Sequence, residues 1–211
     1  MLHWTNAWEE GDEVILEGYH QAKPMPDPLE EMGRYSHMMA YVDEHSFQSH
    51  LHRWRFNLKT GETREERLGD RIVEFGMINP QYAMHKSRYV WSTTTRPGWF
   101  LFNGYVRHDT ETGEEQVYRL PEGVYASESP MIPRKGATSE DDGYLVTFLI
   151  DENTGTSQCA ILDAADESQE GVAGQTGRHD ADKTAVLAGQ RPCRCAGRHA
   201  CGPDRRLSRN S

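Results

Sequence analysis

The chain is short of everything that would make it a membrane, secreted or nucleotide-handling protein. It has no apolar run approaching the ~20 residues needed to cross a bilayer. No basic region followed by an apolar stretch opens it, so no secretory leader is expected and a cytoplasmic location is the default. There is no Gly-rich phosphate loop and no G-x-S-x-G nucleophile elbow. Positive charge is scarce: 23 Lys and Arg stand against 33 Asp and Glu, for a net charge of -10. That balance argues against nucleic acid, whose phosphates need a basic face. Cysteine is sparse too, at four residues in 211, and disulfides are not expected in a cytoplasmic chain. Aromatics stop at Phe148, with none in the 63 residues that follow.

The distribution of these shortages divides the chain. Residues 1–168 carry 15 Lys and Arg against 29 Asp and Glu, while residues 169–211 carry 8 against 4. The second stretch also holds Cys193, Cys195 and Cys201 and is rich in Gly and Arg. It is expected to be an irregular, disordered or frameshifted tail. Its Cys193, Cys195, His199 and Cys201 are too compressed for a usual zinc site, whose cysteine pairs are separated by two to four residues.

Residues 1–168 read as strands joined by tight turns, an all-β pattern. LHRWRFNL (51–58), WFLFNGYVRHD (99–109) and GYLVTFLIDE (143–152) alternate large apolar with polar residues and are each followed by a Gly turn and a returning strand. The turns share one design: Asn57 to Gly61, Asp109 to Gly113 and Asp151 to Gly155. An Asn or Asp side chain can accept from backbone two residues on, and Gly accepts the positive φ that ends the turn. The three glycines are 52 and 42 residues apart, a spacing suited to propeller blades. Three such units do not close a ring, so part of a β-propeller is expected, with a sandwich as the alternative. In 23–39 the prolines forbid a central strand, leaving a short helix or a loop.

The chemistry-bearing residues are chiefly histidines, ten in all. His50 and His52 share one strand face near His45, most simply as a polar face. His20, His37, His85, His108 and His179 have no convincing partners in sequence. His3 differs in its surroundings, HWTNAWEEGDEVILEG. That stretch resembles the H-x-x-N-A-W-E segment of the carotenoid cleavage oxygenase family, where it carries one of four iron-binding histidines. VEFGMINPQYA (73–83), the 119–151 stretch with SESP and EDDG, and the LHRWRFNLKTGETREERL hairpin resemble further family segments in the same order. FGMIN and GVYASESPM are most similar to the lignostilbene-like bacterial members.

The resemblance implies the C-terminal portion of a seven-bladed propeller, about three to four blades, with Fe(II) on its axis. It implies His3 as an iron ligand and Glu74 and Glu128 as carboxylates that hold ligand imidazoles from behind. The fourth family histidine has its nearest counterpart in His199, where the Gly-x-His order survives but the flanking pattern does not. The implied activity is O2-dependent cleavage of an alkene in a stilbenoid, carotenoid or apocarotenoid, giving two carbonyl products. Two iron ligands would be missing from this chain, so a non-catalytic propeller fragment stands as the alternative, and a metal-free interaction module as a third reading.

Overall fold

A computed structural model describes residues 3–165 and the backbone of a further strand at 172–176. Its helices are few and short: a 3-10 turn at Glu30–Tyr35, α1 (Ser36–Ala40), α2 (Glu44–Phe47) and a 3-10 turn at Pro80–Tyr82. Of the short helix or loop left open for 23–39, the segment holds both: no regular element up to Leu29, then the 3-10 turn and the start of α1.

Everything else positions three antiparallel four-stranded units. The first pairs β1 (Trp4–Glu10), β2 (Glu13–Gln21), β3 (Ser49–Asn57) and β4 (Thr63–Arg67) in that order. The second pairs β5 (Glu74–Met77), β6 (Tyr89–Thr95), β7 (Phe102–Asp109) and β8 (Glu115–Arg119). In the third, β11 (Gly143–Asp151) pairs with β10 (Met131–Pro133) on one side and β12 (Thr156–Asp163) on the other, and β12 pairs with β13 (Val172–Thr176). The short β9 (Val124–Ala126) pairs with both β7 and β11, so the second and third units form one curled sheet.

Strand alternation turns these units into stacked blades. On β6 and β7, Val90 and Val106 face the first unit and join Tyr19, Leu51 and Val73 in one core. Their neighbours Trp91 and Tyr105 point the opposite way, onto Leu145, Leu149, Ala160 and Leu162 of the third unit. The middle blade is therefore buried on both faces. Polar cross-ties reach across each interface where a buried hydroxyl needs a partner. Tyr19 Oη meets Ser92 Oγ at 2.7 Å, and Tyr105 Oη donates to Thr147 Oγ1 at 2.7 Å. Trp91 Nε1 donates to the Ala164 carbonyl at 3.0 Å.

The three repeated turns have one geometry. The amides of Gly61, Gly113 and Gly155 donate to the carbonyls of Asn57, Asp109 and Asp151 at 2.9, 2.8 and 2.9 Å. The glycine φ values are 75°, 76° and 66°. The Asn or Asp Oδ1 takes amides two residues on, as Lys59, Glu111 and Asn153 show. In the second turn Asp109 also takes the Arg88 guanidinium, which holds its carboxyl down to about 2.

β11 offers a direct check on which face packs. Leu145 is fully buried while Phe148 is 59% exposed. Leu145→Ala is expected to cost about 2–5 kcal/mol, and Phe148→Ala to stay within about 0.5 kcal/mol. Urea unfolding of the two variants reads this directly, and equal costs would reverse the assignment of faces.

Candidate functional site

The inner strands β1 and β5 of the first two blades start side by side, and their first residues make the site. His3 precedes β1 and Glu74 opens β5. His3 Nδ1 lies 3.0 Å from Glu74 Oε2. Glu74 is 1% exposed, and it also accepts the Phe75 amide on Oε2 at 3.1 Å and Ser49 Oγ on Oε1 at 3.2 Å. An ionised Glu74 has only acceptors to offer, and would hold the His3 proton on Nδ1 and leave the Nε2 lone pair free. Burial pushes the Glu74 carboxyl up, opposed by Phe75, His3 and Ser49.

Local sequence explains why Glu74 lands there. The β5–β6 register slips between Glu74 and Met77. Phe75 sits at φ 52°, a left-handed conformation that costs a non-glycine residue about 1–3 kcal/mol and persists where surroundings impose it. At Gly76 a Cβ would fall 1.9 Å from Tyr19 Oη, so only glycine lets β5 approach the first blade this closely. The bulge lays the Phe75 ring against His3, with centroids 4.3 Å apart, and on Phe102 at 4.9 Å.

A further acid lies nearby. Glu44 opens α2, is 2% exposed, and has a buried Oε1 with no hydrogen-bond partner. Burial, then the Glu74 charge, push its carboxyl to about 8. Its neighbour His45 is fixed instead by the Thr95 carbonyl, 3.0 Å from Nε2.

The other motif residues hold the scaffold. Asn6 gathers the 82–87 loop, donating to the Tyr82 and His85 carbonyls and Ser87 Oγ and accepting the Met84 amide. Asn79 donates to the Glu140 carbonyl at 2.8 Å. Glu140 in turn accepts the amides of Arg88 and Tyr89 at 2.9 Å. Asp141 and Asp142 pair with Arg107 and Arg134. The H-x-x-N, I-N-P and E-D-D-G segments are thus one hydrogen-bonded network that ties the blades together.

The sequence-based candidates fare unequally. His3 and Glu74 are brought together. Glu128 is exposed and its carboxylate makes no hydrogen bond among the described residues. Beside it the Ser127 carbonyl accepts from Tyr105 Oη and Ser129 Oγ donates to that same Oη, while Glu128, between β9 and β10, faces outward. His199 lies outside the described residues. His52 stacks on Trp54 at 4.6 Å and His50 Nδ1 faces the Gln48 carbonyl. Among the described residues no three His, Cys, Asp or Glu side chains converge as a metal set. Sequence reasoning missed Glu44, and it missed the buried Glu17–Arg53 pair, where Arg53 Nε donates to Glu17 Oε1 at 2.8 Å. The acid at the fifth position of EVILEG, inside an otherwise apolar strand, was the available signal for Glu17.

Comparison with known proteins places this geometry. The family profile described as RPE65, retinal pigment epithelial membrane protein, matches residues 1–176. A carotenoid 9,10(9',10')-cleavage dioxygenase of Crocus sativus is 34% identical, with 82% of this chain covering 33% of that protein. Its counterpart from Arabidopsis thaliana is 36% identical with the same coverage. The chain therefore spans about a third of the length of these curated relatives. Cobalt-substituted Synechocystis ACO, an apocarotenoid oxygenase, shares the fold at a TM-score of 0.68 and 23% identity, over 79% of this chain and 34% of that one.

The Glu44 carboxyl gives a signed pH expectation. Below pH ~4.5 both folded and unfolded chains hold its proton, and stability is unpenalised. Between 4.5 and about 8 the unfolded chain releases the proton and the folded chain keeps it. Stability then falls with rising pH, by about 1.4 kcal/mol per unit at most from this group. Glu44→Gln should flatten the loss in urea midpoint between pH 5 and pH 8. An unchanged pH dependence in the variant would refute the neutral, buried carboxyl.

Proposed function

From the premise that the chain belongs to the RPE65 family of carotenoid cleavage oxygenases, we propose that it carries one corner of a non-haem Fe(II) dioxygenase site. His3 is the ligand and Glu74 its holder. The observation that carries this reading is the 3.0 Å contact from His3 Nδ1 to a buried carboxylate, which leaves Nε2 free. Imidazole nitrogen suits Fe(II), and a carboxylate behind a ligating imidazole fixes its tautomer and ring orientation. The residues present fit one ligand position. Further imidazoles, His199 among the candidates, would come from outside the described residues, and Glu128 stands open to hold one of them.

Iron, when bound, supplies the O2 chemistry by which an alkene is split into two carbonyl products. This chain's share is to hold the His3 imidazole in one tautomer and to keep water from Glu74. It also presents the Phe75 ring beside the ligand. The relatives' names favour a carotenoid or apocarotenoid over a stilbenoid as the alkene. No helix among the described residues is long and apolar enough to cross a membrane.

A second reading has its own observation. In it the chain, which spans about a third of its relatives' length, is a truncated propeller fragment without a complete iron site, and the described residues bring no three metal-binding side chains together. Both readings meet one experiment, anaerobic Fe(II) titration followed by histidine side-chain NMR. Paramagnetic broadening should fall first on His3 among the ten histidines. Glu74→Gln should weaken that binding about 10- to 100-fold. Broadening spread evenly over the histidines would remove His3 from the ligand set. Alkene cleavage by the isolated chain would overturn the second reading.

A further inference from the structure

The second and third blades do not close on each other along their whole contact. Alternation turns Gln158, Ala160 and Leu162 of β12 toward the second blade, with Leu149 of β11 opposite Gln158. Tyr118 of β8, opposite Tyr105, faces them together with Leu120 just beyond the strand. Between these two walls lies a cavity of about 330 Å³. That is within the ~300–1,000 Å³ of small-molecule sites, and the floor is apolar, as such sites require. Ala160 and Leu162 on that floor are buried. The iron reading makes no use of this space.

The rim of the cavity is built. The Glu152 amide donates to the Gly123 carbonyl at 2.9 Å, and Asn153 Nδ2 donates to the Glu122 carbonyl at 3.0 Å. Gly123 takes φ 79°, and a Cβ there would run into the Asn153 side-chain amide, so glycine lets the 121–124 segment meet the β11–β12 turn. A rim held in this way need not be ordered by its ligand. It carries two carboxylates, Glu122 and Asp151, and no Lys, Arg or His lines the cavity among the described residues. Asp151 accepts the Asn153 amide on Oδ1 and the Thr154 hydroxyl on Oδ2, both at 2.9 Å. Those bonds, Thr154 first, hold its carboxyl below the usual range, and lone pairs remain on both oxygens. The cations of this corner, Arg96 and Arg119, line a neighbouring hollow, where Arg96 donates to Tyr125 Oη. An apolar wedge with anionic groups at its mouth suits a molecule with a flat apolar body and one positive end. An anion would meet like charge there.

We propose that this interblade cavity is a binding site for a small organic monocation of the arylalkylammonium class. Its ring enters between Leu120 and the Ala160–Leu162 floor, and its ammonium group lies at Glu122 and Asp151. The proposal goes beyond the iron reading and does not depend on it. Phenethylammonium is the probe, titrated into the 211-residue chain with methyl and side-chain amide NMR. Saturable shifts are expected on the Leu120, Ala160 and Leu162 methyls and on the Asn153 amide. Phenylacetate, which pairs the same ring with an anion, should shift them little, as should ammonium ion alone. Glu122→Gln and Asp151→Asn should each weaken binding about 2- to 5-fold, the scale of one exposed ion pair. Asn at 151 keeps an oxygen for the turn. Ala160→Leu fills the floor and should abolish the saturable shifts. Since a larger side chain can overpack a core, Gln158→Trp repeats the test from a half-buried position.

No saturable shift on these signals overturns the proposal. So does phenylacetate binding as tightly as phenethylammonium, or ammonium ion alone shifting the signals as strongly. An affinity unchanged in both charge variants overturns it too. Binding that persists unweakened in a folded chain with the cavity filled would move the cation to the general acidic surface and likewise overturn it. The iron titration reads His3, so either outcome there leaves this test intact.

Discussion

Glu74 is the carboxylate on which the inner end of the structure depends. It is buried where the first two blades meet, and its three donors come from three places: His3 ahead of β1, Ser49 at the start of β3, and its own neighbour Phe75. A buried anion without donors is costly. Satisfying this one therefore fixes the spacing of three strands at once. The bulge that delivers it strains Phe75, and the close approach that admits it requires Gly76. Strain and a bare backbone position side by side are what a site looks like when geometry has been placed above stability.

The rest of the frame is repetitive and cheap to specify. Each blade is a pair of long strands closed by the same Asx-to-Gly turn, and each interface is made by alternate residues of one strand. The middle blade shows the consequence. Because β6 and β7 are covered on both faces, Val90 and Trp91 are adjacent in sequence yet belong to different cores. The network of Asn6, Asn79 and Glu140 then ties blade to blade through backbone amides and carbonyls, which no side-chain substitution elsewhere can supply.

This explains what the sequence made legible. The hairpins, the three turns and the stacked-blade class followed from alternation and from Asn or Asp placed four residues before Gly. His3 and Glu74 were legible only through resemblance, since 71 residues separate them and nothing local says that they meet. Glu128 was legible by the same route; it stands exposed between β9 and β10, and its carboxylate meets no imidazole among the described residues. Asn6 and the acids of EDDG sit in motifs beside the candidate ligand, yet they hold loops together. Glu44 was invisible, because in DEHSF an acid at a helix start is ordinary and only tertiary packing buries it.

Four of the buried acids, all glutamates, sort by what each is given in return for lost water. Glu17 has the Arg53 guanidinium. Glu140 has two backbone amides. Glu74 has an imidazole, an amide and a hydroxyl. Burial pushes all three carboxyls up, and their partners push back. Glu44 keeps an unpartnered oxygen and faces the Glu74 charge. Two carboxylates that feel one another in a dry site do not both ionise readily. Three donors on Glu74 favour its charged form, while Glu44, with an unpartnered oxygen, is the one pushed up to about 8. That division keeps Glu74 an acceptor, and an acceptor there is what holds the His3 proton on Nδ1 and its free lone pair on Nε2.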